Sequence, residues 1–311
     1  MITTVTLNAS IDKAYYMAKP IENGTVMRVA KCINTAGGKG LNVARAARHC
    51  GSTVNATGLV GGYNGMYLEH LLDEDGISHE FGHVSGETRS CINILDEAYG
   101  STEYLEPGCL VTEQETKDFL ENVFPKAIAE SDVVTISGSA PKGVPATVYQ
   151  DLIKAVKDAG KKVLLDTSGK LLEEGLKAAP DLVKPNRDEL EALFDTKIET
   201  MEDTMAMADK LRAMGIPYVV ISLGKDGALL VCDRGAYQGL PPKVDVVNTV
   251  GCGDSMIGAF AYGFEQNYEP EEMLKYAVAV ASANACSEGT GYYETENFET
   301  IYKDVVIKKL R

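Results

Sequence analysis

The sequence predicts an α/β protein in which a mainly parallel β-sheet lies between layers of helices and carries a second, smaller sheet. Apolar runs suited to strands alternate with helical patterns along most of the chain, and this order requires parallel strands joined by helical crossovers on both faces of a sheet. Two segments, at about 12–35 and 88–106, have β-type sequence without intervening helices. A chain of 311 residues fits one large core with a small insertion. We therefore predict a single domain over 1–311, with these two segments inserted as the strands of a lid.

The individual elements follow from apolar periodicity and from polar residues or glycine at their ends. The first strand, 2–7, is a β-rich run that ends at Asn8, and the next predicted helix, 41–50, is stopped by Gly51. The elements predicted after these are strand 54–60, helix 66–74, helix 113–129, strand 132–137, helix 145–159, strand 162–166, helix 170–178, strand 182–184, helix 201–214, strand 218–223, the paired strands 228–232 and 235–238, and helices 255–266 and 270–287. The alternation breaks at the two segments assigned to the lid, for which a plain sheet edge is the alternative.

The composition excludes several classes of function. The net charge is −15, whereas a protein that follows a nucleic-acid backbone needs clustered Lys and Arg, so we expect no nucleic-acid partner. A phosphorylated substrate must then be bound by a few local cations. No apolar run reaches 18 residues, and the N-terminus lacks the pattern of a signal peptide; we therefore expect a cytoplasmic protein with no membrane partner. The seven cysteines are scattered without metal-like spacing, which is typical of free thiols.

A glycine-rich turn at 248–255 (NTVGCGDS) leads directly into a helical pattern. Glycines allow successive backbone N–H groups to point inward at a helix N-terminus, whose dipole attracts negative charge. A carboxylate beside such an anion hole can accept the proton of an attacking hydroxyl while the N–H groups stabilise a transferring phosphoryl group. We therefore interpret Asp254 as a general base; the alternative is that it only caps the helix.

A second glycine cluster, at 36–42 (AGGKGLN), also precedes a helical pattern. Its backbone can approach a ligand closely, and Lys39 and Asn42 can supply a cation and an amide, although a plain loop often has a similar composition. The cluster lacks the spacing of a Walker A loop, and no Gly-x-Gly-x-x-Gly lies at a strand-to-helix turn. Neither a P-loop nor a dinucleotide-binding fold is therefore predicted.

Two further segments are suited to bind a nucleotide and its metal ion. Asn186 and Glu189 lie three residues apart where a strand leads into a helix, and their oxygens can organise the waters of Mg²⁺; a capping box is the alternative. The turn at 222–227 (SLGKDG) is a candidate floor for the nucleotide, or an ordinary hairpin turn.

Charged residues of the N-terminal third are candidates to bind a sugar phosphate. Asp12 lies just beyond the first strand and can accept hydrogen bonds from sugar hydroxyls. Arg28, Lys39 and Arg89 are candidate ligands of the phosphate on the substrate, with solvated surface charge as the alternative for each.

The segment 79–83 (HEFGH) matches the His-Glu-x-x-His pattern of zinc proteases. That pattern binds metal only on a helix, where the two histidines lie about 6 Å apart, whereas on a strand they are separated by roughly 13 Å. Glycines before, within and after the segment favour an extended or turn conformation. We therefore predict no metal site here.

Five motifs occur along the chain: GGKG-x-N at 37–42, ISGS at 136–139, KPN-x-x-E at 184–189, ISLG at 221–224 and NTVGCGDS at 248–255. With these motifs the sequence, from residue 5 to about 291, resembles the ribokinase-like carbohydrate kinases of the phosphofructokinase-B type, and within them the branch of 1-phosphofructokinases and tagatose-6-phosphate kinases. The resemblance implies a ribokinase-like three-layer αβα sandwich with a small β-sheet lid. It also implies ATP and Mg²⁺ as cofactors, and a homodimer whose lids clasp one another.

The resemblance further implies a role for each matching position. Asp254 resembles the catalytic base. The resemblance implies an anion hole formed by Gly251, Cys252 and Gly253, and positioning of Mg·ATP by Asn186 and Glu189, with the metal bound through water. It implies nucleotide contacts from Ser222, Gly224 and Gly227. The sugar contacts that it implies are Asp12, Gly38, Asn42 and Ser139, and the residues near the sugar's phosphate are Arg28, Lys39 and Arg89. Cys252 stands where alanine is commoner, and Ala9 stands where proline often follows Asn8. The backbone N–H of Cys252 remains, so we expect activity with a possible sensitivity of the thiol.

The activity that the resemblance implies is ATP-dependent phosphorylation of a ketohexose monophosphate, fructose 1-phosphate or tagatose 6-phosphate, to the 1,6-bisphosphate. Segments 88–95, 102–107 and 283–297 look closer to tagatose-6-phosphate kinases, whereas the GGKG and GDS regions resemble the larger group of 1-phosphofructokinases, so both substrates stay open. Fructose 6-phosphate or another sugar is an alternative within the family. A catalytically silent sugar-phosphate sensor is the alternative from another class, which the intact Asp254, Asn186 and Glu189 disfavour.

Overall fold

Fourteen strands form two sheets in the computed structural model, which describes residues 1–98 and 100–311. The strands are β1 (Ile2–Thr6), β2 (Ser10–Met17), β3 (Val29–Gly37), β4 (Val54–Gly61), β5 (Ser78–Val84), β6 (Arg89–Asp96), β7 (Gly100–Leu105), β8 (Val133–Ser137), β9 (Lys162–Asp166), β10 (Leu182–Val183), β11 (Tyr218–Ser222), β12 (Ala228–Cys232), β13 (Gly235–Leu240) and β14 (Val306–Lys309). The helices are α1 (Lys39–His49), α2 (Gly62–Glu74), α3 (Glu113–Asp118), α4 (Phe124–Ala127), α5 (Val148–Asp158), α6 (Gly169–Leu176), α7 (Arg187–Phe194), α8 (Met201–Ala213), α9 (Cys252–Glu265), α10 (Pro270–Ala285) and α11 (Thr295–Asp304).

The larger sheet has the strand order β14-β13-β12-β11-β10-β9-β8-β1-β4-β5. The strands from β11 to β5 in this order pair in parallel, whereas β12, β13 and β14 add antiparallel pairs at the other end. The predicted α/β class with a mainly parallel sheet is therefore confirmed. The parallel strands end at one edge of the sheet, which is where ligands bind in folds of this class, and the chain after β1, β8, β10 and β11 carries several of the predicted site residues.

Helices cover both faces of the larger sheet because its central strands have apolar side chains on both faces. In β9, Leu164 packs in a core cluster with residues of α1, α9 and α10, whereas its neighbours Val163 and Leu165 pack in a cluster with residues of α5, α6 and α8. Successive side chains of a strand point to opposite faces, so one strand contributes to both clusters. All three residues are fully buried, and each such burial contributes roughly 1.5–3 kcal/mol. The result is a sandwich of three layers.

The smaller sheet has the order β3-β2-β6-β7. Strand β2 pairs antiparallel with β3 and parallel with β6, and β6 pairs antiparallel with β7. Helix α2 packs against β2 and β3. Since β2 follows β1 after three residues, the smaller sheet is attached at the edge where the parallel strands end. That it acts as a lid remains a prediction.

The helix predicted at 113–129 is interrupted in the structure. Helix α3 continues into a π-helical turn, Phe119–Val123, before α4 begins. A π-turn inserts an extra residue into a helix, which allows the buried rings of Phe119 and Phe124 to meet with their centroids 5.9 Å apart. The pattern of apolar residues alone does not reveal this insertion.

The C-terminal segment contains two elements that the sequence pattern did not predict, α11 and β14. Among the described strands, β14 is an edge strand that pairs only with β13 and is mostly exposed, so its sequence lacks the apolar run by which the central strands are identified.

Across the described residues, no helix has the length and apolar character needed to cross a membrane.

Candidate active site

The segment 248–255 forms a tight turn at the N-terminus of α9. Gly251 is the capping residue, with a left-handed backbone (φ 76°, ψ 2°), and Cys252 is the first helical residue. The N–H of Ser255 donates to Gly251 O at 2.8 Å, so the N–H groups of Gly253 and Asp254 precede the first helical hydrogen bond and face out of the helix end. Asp254 is therefore a first-turn residue and not the cap, and the capping alternative is wrong.

Close packing behind this turn leaves no space for a side chain at Gly251. A Cβ atom there would lie 2.1 Å from Thr290 Cγ2. Asn284, in α10, accepts hydrogen bonds from Ser255 Oγ at 3.0 Å and from Gly291 N at 2.8 Å. The turn is thus supported by the end of α10 and the segment that follows it.

The side chain of Cys252 contacts α10. Asn284 Nδ2 donates to Cys252 Sγ at 3.4 Å, and burial raises the pKa of the thiol, so this cysteine is neutral at physiological pH. All seven cysteines of the chain are free thiols.

Asp254 is a buried carboxylate, 6% exposed, that accepts a hydrogen bond from Asn42 Nδ2 to Oδ2 at 2.8 Å. Its second oxygen, Oδ1, accepts no hydrogen bond from the described part of the chain. Burial, and next the charge of Asp166, raises the pKa of Asp254 to about 6. The hydrogen bond from Asn42 and the charges of Lys39 and Lys184 oppose this rise. A carboxylate with such a pKa is ionised at neutral pH and still basic enough to take a proton.

A buried ion pair lies beside the turn. Asp166 ends β9 and Lys184 follows β10, and Lys184 Nζ lies 3.3 Å from Asp166 Oδ1. Lys184 Nζ would also lie 3.3 Å from a Cβ atom on Gly253, so its ammonium group is close to the N–H groups of the turn. Asp166 Oδ2 is buried without a hydrogen-bond partner among the described residues, which leaves one carboxylate oxygen for a ligand.

The motifs alone did not assign a role to Asp166 or Lys184. A signal was nevertheless present in the sequence, because each is a charged residue at the C-terminal end of an otherwise apolar strand, where parallel sheets bind their ligands. Their pairing joins positions that are 18 residues apart in sequence and becomes visible only when β9 and β10 lie side by side.

Lys39 is the first residue of α1, and Gly38 caps that helix with φ 109°. The charge of Asp166 is the largest of the effects that raise the pKa of Lys39. The charges of Asp254 and Glu189 act in the same direction, whereas burial opposes them. The ammonium group of Lys39 therefore faces carboxylates from three elements.

Asp12 lies in β2, directly against the glycine turn that precedes α1. Its carboxylate fills the space in which a side chain on Gly37 would lie, since a Cβ atom there would be 2.0 Å from Asp12 Cγ. Ser10 Oγ donates to Asp12 Oδ1 at 2.6 Å. Burial is the largest effect on the pKa of Asp12 and raises it, while the Ser10 hydrogen bond and the charges of Arg45 and Arg89 lower it. The structure thus places Asp12 next to the predicted Gly-rich sugar contacts.

Backbone carbonyl groups hold Arg89 at the base of the smaller sheet. Its guanidinium donates to Asn8 O at 3.0 and 3.2 Å and to Glu106 O at 3.0 Å. Asn8 Nδ2 donates in turn to Ser139 Oγ at 3.1 Å, so Arg89 and Ser139 are linked through one residue. Arg28 lies in the exposed connection between β2 and β3 and makes no hydrogen bond or ion pair with the described residues.

Asn186 and Glu189 form a capping box at the start of α7. Asn186 Oδ1 accepts from Glu189 N at 2.8 Å, and Glu189 Oε2 accepts from Asn186 N at 2.9 Å. The capping-box interpretation is therefore correct. The box uses one side-chain oxygen of each residue, and Glu189 Oε1 lies outside it.

The predicted nucleotide segment at 222–227 lies beside this box. Ser222 and Asn186 form an isolated β-bridge. Beyond Ser222 the chain makes a 3-10 turn, Gly224–Asp226, and both Gly224 (φ 59°) and Gly227 (φ 83°), which follows the turn, have positive φ angles. A Cβ atom on Gly227 would lie 1.9 Å from Gly239 O, so the turn packs closely on β13.

His79 and His83 lie on β5, as the extended alternative for that segment requires. His79 Nε2 is 3.2 Å from Asp73 Oδ1, and His83 Nε2 is 3.0 Å from Glu69 Oε1. Both carboxylates belong to α2, so the two histidines connect β5 to that helix. Among the residues that the structure describes, no group of three or more His, Cys, Asp or Glu side chains is arranged to hold a metal ion.

Comparison with known proteins finds relatives along the whole chain. Tagatose-6-phosphate kinase from Staphylococcus epidermidis is 37% identical over 310 residues, which make up 99% of each chain. The solved structure of phosphofructokinase-2 from Escherichia coli has a TM-score of 0.90 at 32% identity, covering 97% of this chain and 98% of that one. A possible 1-phosphofructokinase from Thermotoga maritima has a TM-score of 0.89 at 27% identity and full coverage of both chains. The profile of the pfkB family carbohydrate kinases matches residues 5–297, and the chain belongs to that family.

Proposed function

We propose that this carbohydrate kinase transfers the γ-phosphoryl group of ATP to a primary hydroxyl of a ketohexose monophosphate and forms a ketohexose 1,6-bisphosphate. The observation that carries the proposal is the position of Asp254, a buried carboxylate with a pKa of about 6 in the first turn of α9. It lies in the same turn as outward-facing N–H groups and close to the ammonium of Lys184. Similarity to a tagatose-6-phosphate kinase and to phosphofructokinase-2 supports the substrate class.

In the proposed reaction the sugar hydroxyl attacks the γ-phosphorus of ATP. The new oxygen–phosphorus bond forms as the bond to the bridging oxygen breaks, the electron pair leaves with ADP, and the hydroxyl proton passes to Oδ1 of Asp254. We propose the turn of Gly251, Cys252 and Gly253 as the anion hole, in which the outward-facing N–H groups of Gly253 and Asp254 stabilise charge that develops on the transferring group. The N–H of Cys252 donates within the turn, to Thr249 O at 3.4 Å. The ammonium groups of Lys184 and Lys39 are placed to offset the same charge.

The oxygen atoms around the site fit Mg²⁺, which prefers hard oxygen ligands and keeps much of its water shell. Glu189 Oε1 lies outside the capping box, and Asp166 Oδ2 has no hydrogen-bond partner in the described part of the chain. We propose that Asn186 and Glu189 hold the ion through water, with Asp166 as a further candidate. When bound, Mg²⁺ would neutralise charge on the phosphates of ATP.

The remaining predicted residues divide between the two substrates. Arg89 supports a phosphate contact, because three hydrogen bonds to carbonyl groups leave two of the five guanidinium donors free. We propose nucleotide contacts from Ser222, Gly224 and Gly227, sugar contacts from Asp12, Gly38, Asn42 and Ser139, and contacts to the sugar's phosphate from Arg28 and Arg89. Lys39, which the sequence also assigned to that phosphate, faces Asp166 and Asp254, so we propose it for the transferring group instead.

Similarity over the full chain to a tagatose-6-phosphate kinase favours tagatose 6-phosphate as the acceptor, with fructose 1-phosphate and fructose 6-phosphate as the alternatives. With a 6-phosphate sugar the attacking hydroxyl is on C1, and with fructose 1-phosphate it is on C6. In either case the pocket must bind the phosphate that the sugar already carries at the end of the sugar opposite the reacting hydroxyl.

The test is an ADP-release assay of the purified protein with Mg·ATP and, separately, tagatose 6-phosphate, fructose 1-phosphate, fructose 6-phosphate and unphosphorylated fructose. We expect turnover with one of the phosphorylated sugars and loss of it in Asp254→Asn. No turnover with any of the four, in protein that still binds ATP, would contradict the proposal and favour another acceptor or a sensor without chemistry.

We propose in addition that the protein acts in the cytoplasm, where ATP is available to a kinase. We also propose that it is a homodimer formed through the smaller sheet. Its edge strands β3 and β7 expose the apolar side chains of Val29, Tyr104 and Leu105, and exposed edges and apolar groups favour pairing with a second copy. Sedimentation should give twice the chain mass, and Leu105→Glu should lower it. A monomeric wild type would overturn this proposal.

A further inference from the structure

The guanidinium group of Arg45 lies between the sugar side and the phosphate side of the proposed site. Arg45 is in the second turn of α1, and its side chain is 14% exposed. Nη1 donates to Ala36 O at 2.6 Å, Nη2 to Asn42 Oδ1 at 2.6 Å, and Nε to Thr290 O at 3.2 Å. One side chain therefore connects three separate segments around the site.

Arg45 dictates which way the amide of Asn42 faces. An arginine has donors and no acceptor, so the atom of Asn42 that meets Nη2 must be its oxygen. The amide nitrogen is thereby directed at Asp254, where Nδ2 donates to Oδ2 at 2.8 Å. A reversed amide would turn a nitrogen to the guanidinium and an oxygen to the carboxylate, and both contacts would be repulsive.

The hydrogen bond from Asn42 also determines which oxygen of Asp254 is available. Oδ2 is engaged by Asn42, whereas Oδ1 receives no hydrogen bond from the residues described. A general base must present a free lone pair to the hydroxyl in a fixed geometry. The contact chain from Arg45 through Asn42 keeps the carboxylate in that geometry.

The third hydrogen bond of Arg45 reaches the opposite side of the site. Thr290, whose carbonyl accepts it, has its methyl group in the space that a side chain on Gly251 would need. The guanidinium therefore ties α1 to the segment that supports the anion-hole turn.

We propose that Arg45 is a positioning residue of this kinase, which fixes the carboxylate of Asp254 through Asn42 and the turn of Gly251 through Thr290. The inference rests on the proposed role of Asp254 as the base. Arg45 itself contacts no reacting atom in this scheme.

The charges around Arg45 and Asp254 determine how the removal of Arg45 should affect the pKa of Asp254. The guanidinium faces Asp75, at 3.7 Å from Nη1, together with the charges of Asp12 and Asp254. The charged groups that face Asp254 from the surrounding elements are Asp166, Lys39 and Lys184, in addition to Arg45. Without Arg45 the ionised carboxylate loses a nearby cation and an oriented hydrogen-bond donor, so its pKa should rise further.

The experiment compares Arg45→Met with a matched control, Arg48→Met. Arg48 lies on the same helix, and its Nε also donates to a backbone carbonyl, that of Gly76 at 2.9 Å, but outside the site. For Arg45→Met we expect kcat to fall roughly 10- to 100-fold and the acid limb of the kcat profile to move to higher pH, while KM for ATP changes little. Arg48→Met should match wild type in both, and Arg45→Lys should recover part of the loss.

A second measurement separates this inference from the proposed function. The titration of Asp254 is followed by carbon-13 NMR of protein labelled at aspartate, with the signal assigned through Asp254→Asn, and needs no turnover. We expect a higher pKa in Arg45→Met, or in Arg45→Lys should the methionine variant not fold. An unchanged titration and an unshifted pH profile in a folded variant would overturn the inference, whereas a wild type that phosphorylates none of the sugars would contradict only the proposed function.

Discussion

Lys184 and Asp166 form an ion pair in the protein interior, with Nζ and Oδ1 3.3 Å apart and side chains 6% and 2% exposed. Burial of two charges costs several kcal/mol for each ion, and the attraction between them offsets this cost only while both are present. The pair lies directly below the proposed anion hole, because the same ammonium group approaches Gly253. Its contribution to the stability of the fold is therefore conditional on both partners.

We expect Lys184→Met to lower the free energy of unfolding by roughly 3 kcal/mol, because Asp166 would remain buried without its partner. The double variant Asp166→Asn with Lys184→Met should recover most of that loss, since no unpaired charge remains. Urea denaturation of the three proteins measures both effects. A single variant as stable as wild type would show that Lys39 or water compensates Asp166 fully.

Asp254→Asn should make the protein more stable and less active at once. The pKa of Asp254 in the folded protein is about 6, above its ordinary value of 3.8. The folded state thus binds this proton more tightly than the unfolded chain does. The contribution of Asp254 to the free energy of unfolding is therefore fully present below about pH 4 and is lost as the pH rises through about 6. Above pH 6 we expect Asp254→Asn to raise the free energy of unfolding by at most about 3 kcal/mol. At the same time kcat should fall roughly 10²–10⁴-fold. Equal losses of stability and activity would point to a structural role.

The pH dependence of wild-type turnover offers an independent check of the base. Only the ionised form of Asp254 can accept the proton, so kcat/KM should fall about tenfold per pH unit below a midpoint near 6, the pKa of Asp254 in the protein without ligands. Values of kcat/KM measured between about pH 5 and pH 8 give this midpoint. A profile that stays flat to pH 5 would assign the proton transfer to another group.

Glu189→Gln should separate the capping role of this residue from its proposed role toward Mg²⁺. Glutamine can complete a capping box, so the free energy of unfolding should change by less than about 0.5 kcal/mol. The charge beside the phosphates is lost, and we expect turnover at limiting Mg²⁺ to fall at least tenfold. The matched control is Glu115→Gln, which alters the capping box of Thr112 and Glu115 at the start of α3. Equal activity in both variants would leave Glu189 with capping alone.

Much of the fold was predictable because the strands of the larger sheet are short, continuous apolar runs. Strand β9 coincides with its prediction, since its buried residues 163–165 are flanked by charged ones. By contrast, β14 is mostly exposed, with only Ile307 packed against the core, and it pairs with β13 at the edge of the sheet. The π-turn before α4 lies next to Pro125, which has no N–H for a helical hydrogen bond, and it brings Phe119 and Phe124 together; the spacing of apolar residues does not encode it.

The candidate site was predictable where a residue lies within a local motif. Asp254 follows a glycine turn, and Asn186 with Glu189 opens a helix, so their placement follows from short-range sequence. Arg45 has no such signal, because on α1 it resembles an ordinary helical arginine. Part of its proposed role depends on Thr290, which lies 245 positions later in the chain. Contacts of that kind depend on the packing of whole elements.

The connections between the two sheets have a mechanical consequence. The chain passes from one sheet to the other directly after β1, between β3 and α1, between β5 and β6, and between β7 and α3. Asp12 belongs to the smaller sheet, whereas Asn42 and Ser139 belong to the elements of the larger one. A sugar bound through the proposed contacts of both sets would be a noncovalent crosslink between the two sheets and would restrain any rotation of one relative to the other. A nucleotide bound at α7 and after β11, as proposed, would contact only the larger sheet and its helices and would leave such a rotation free.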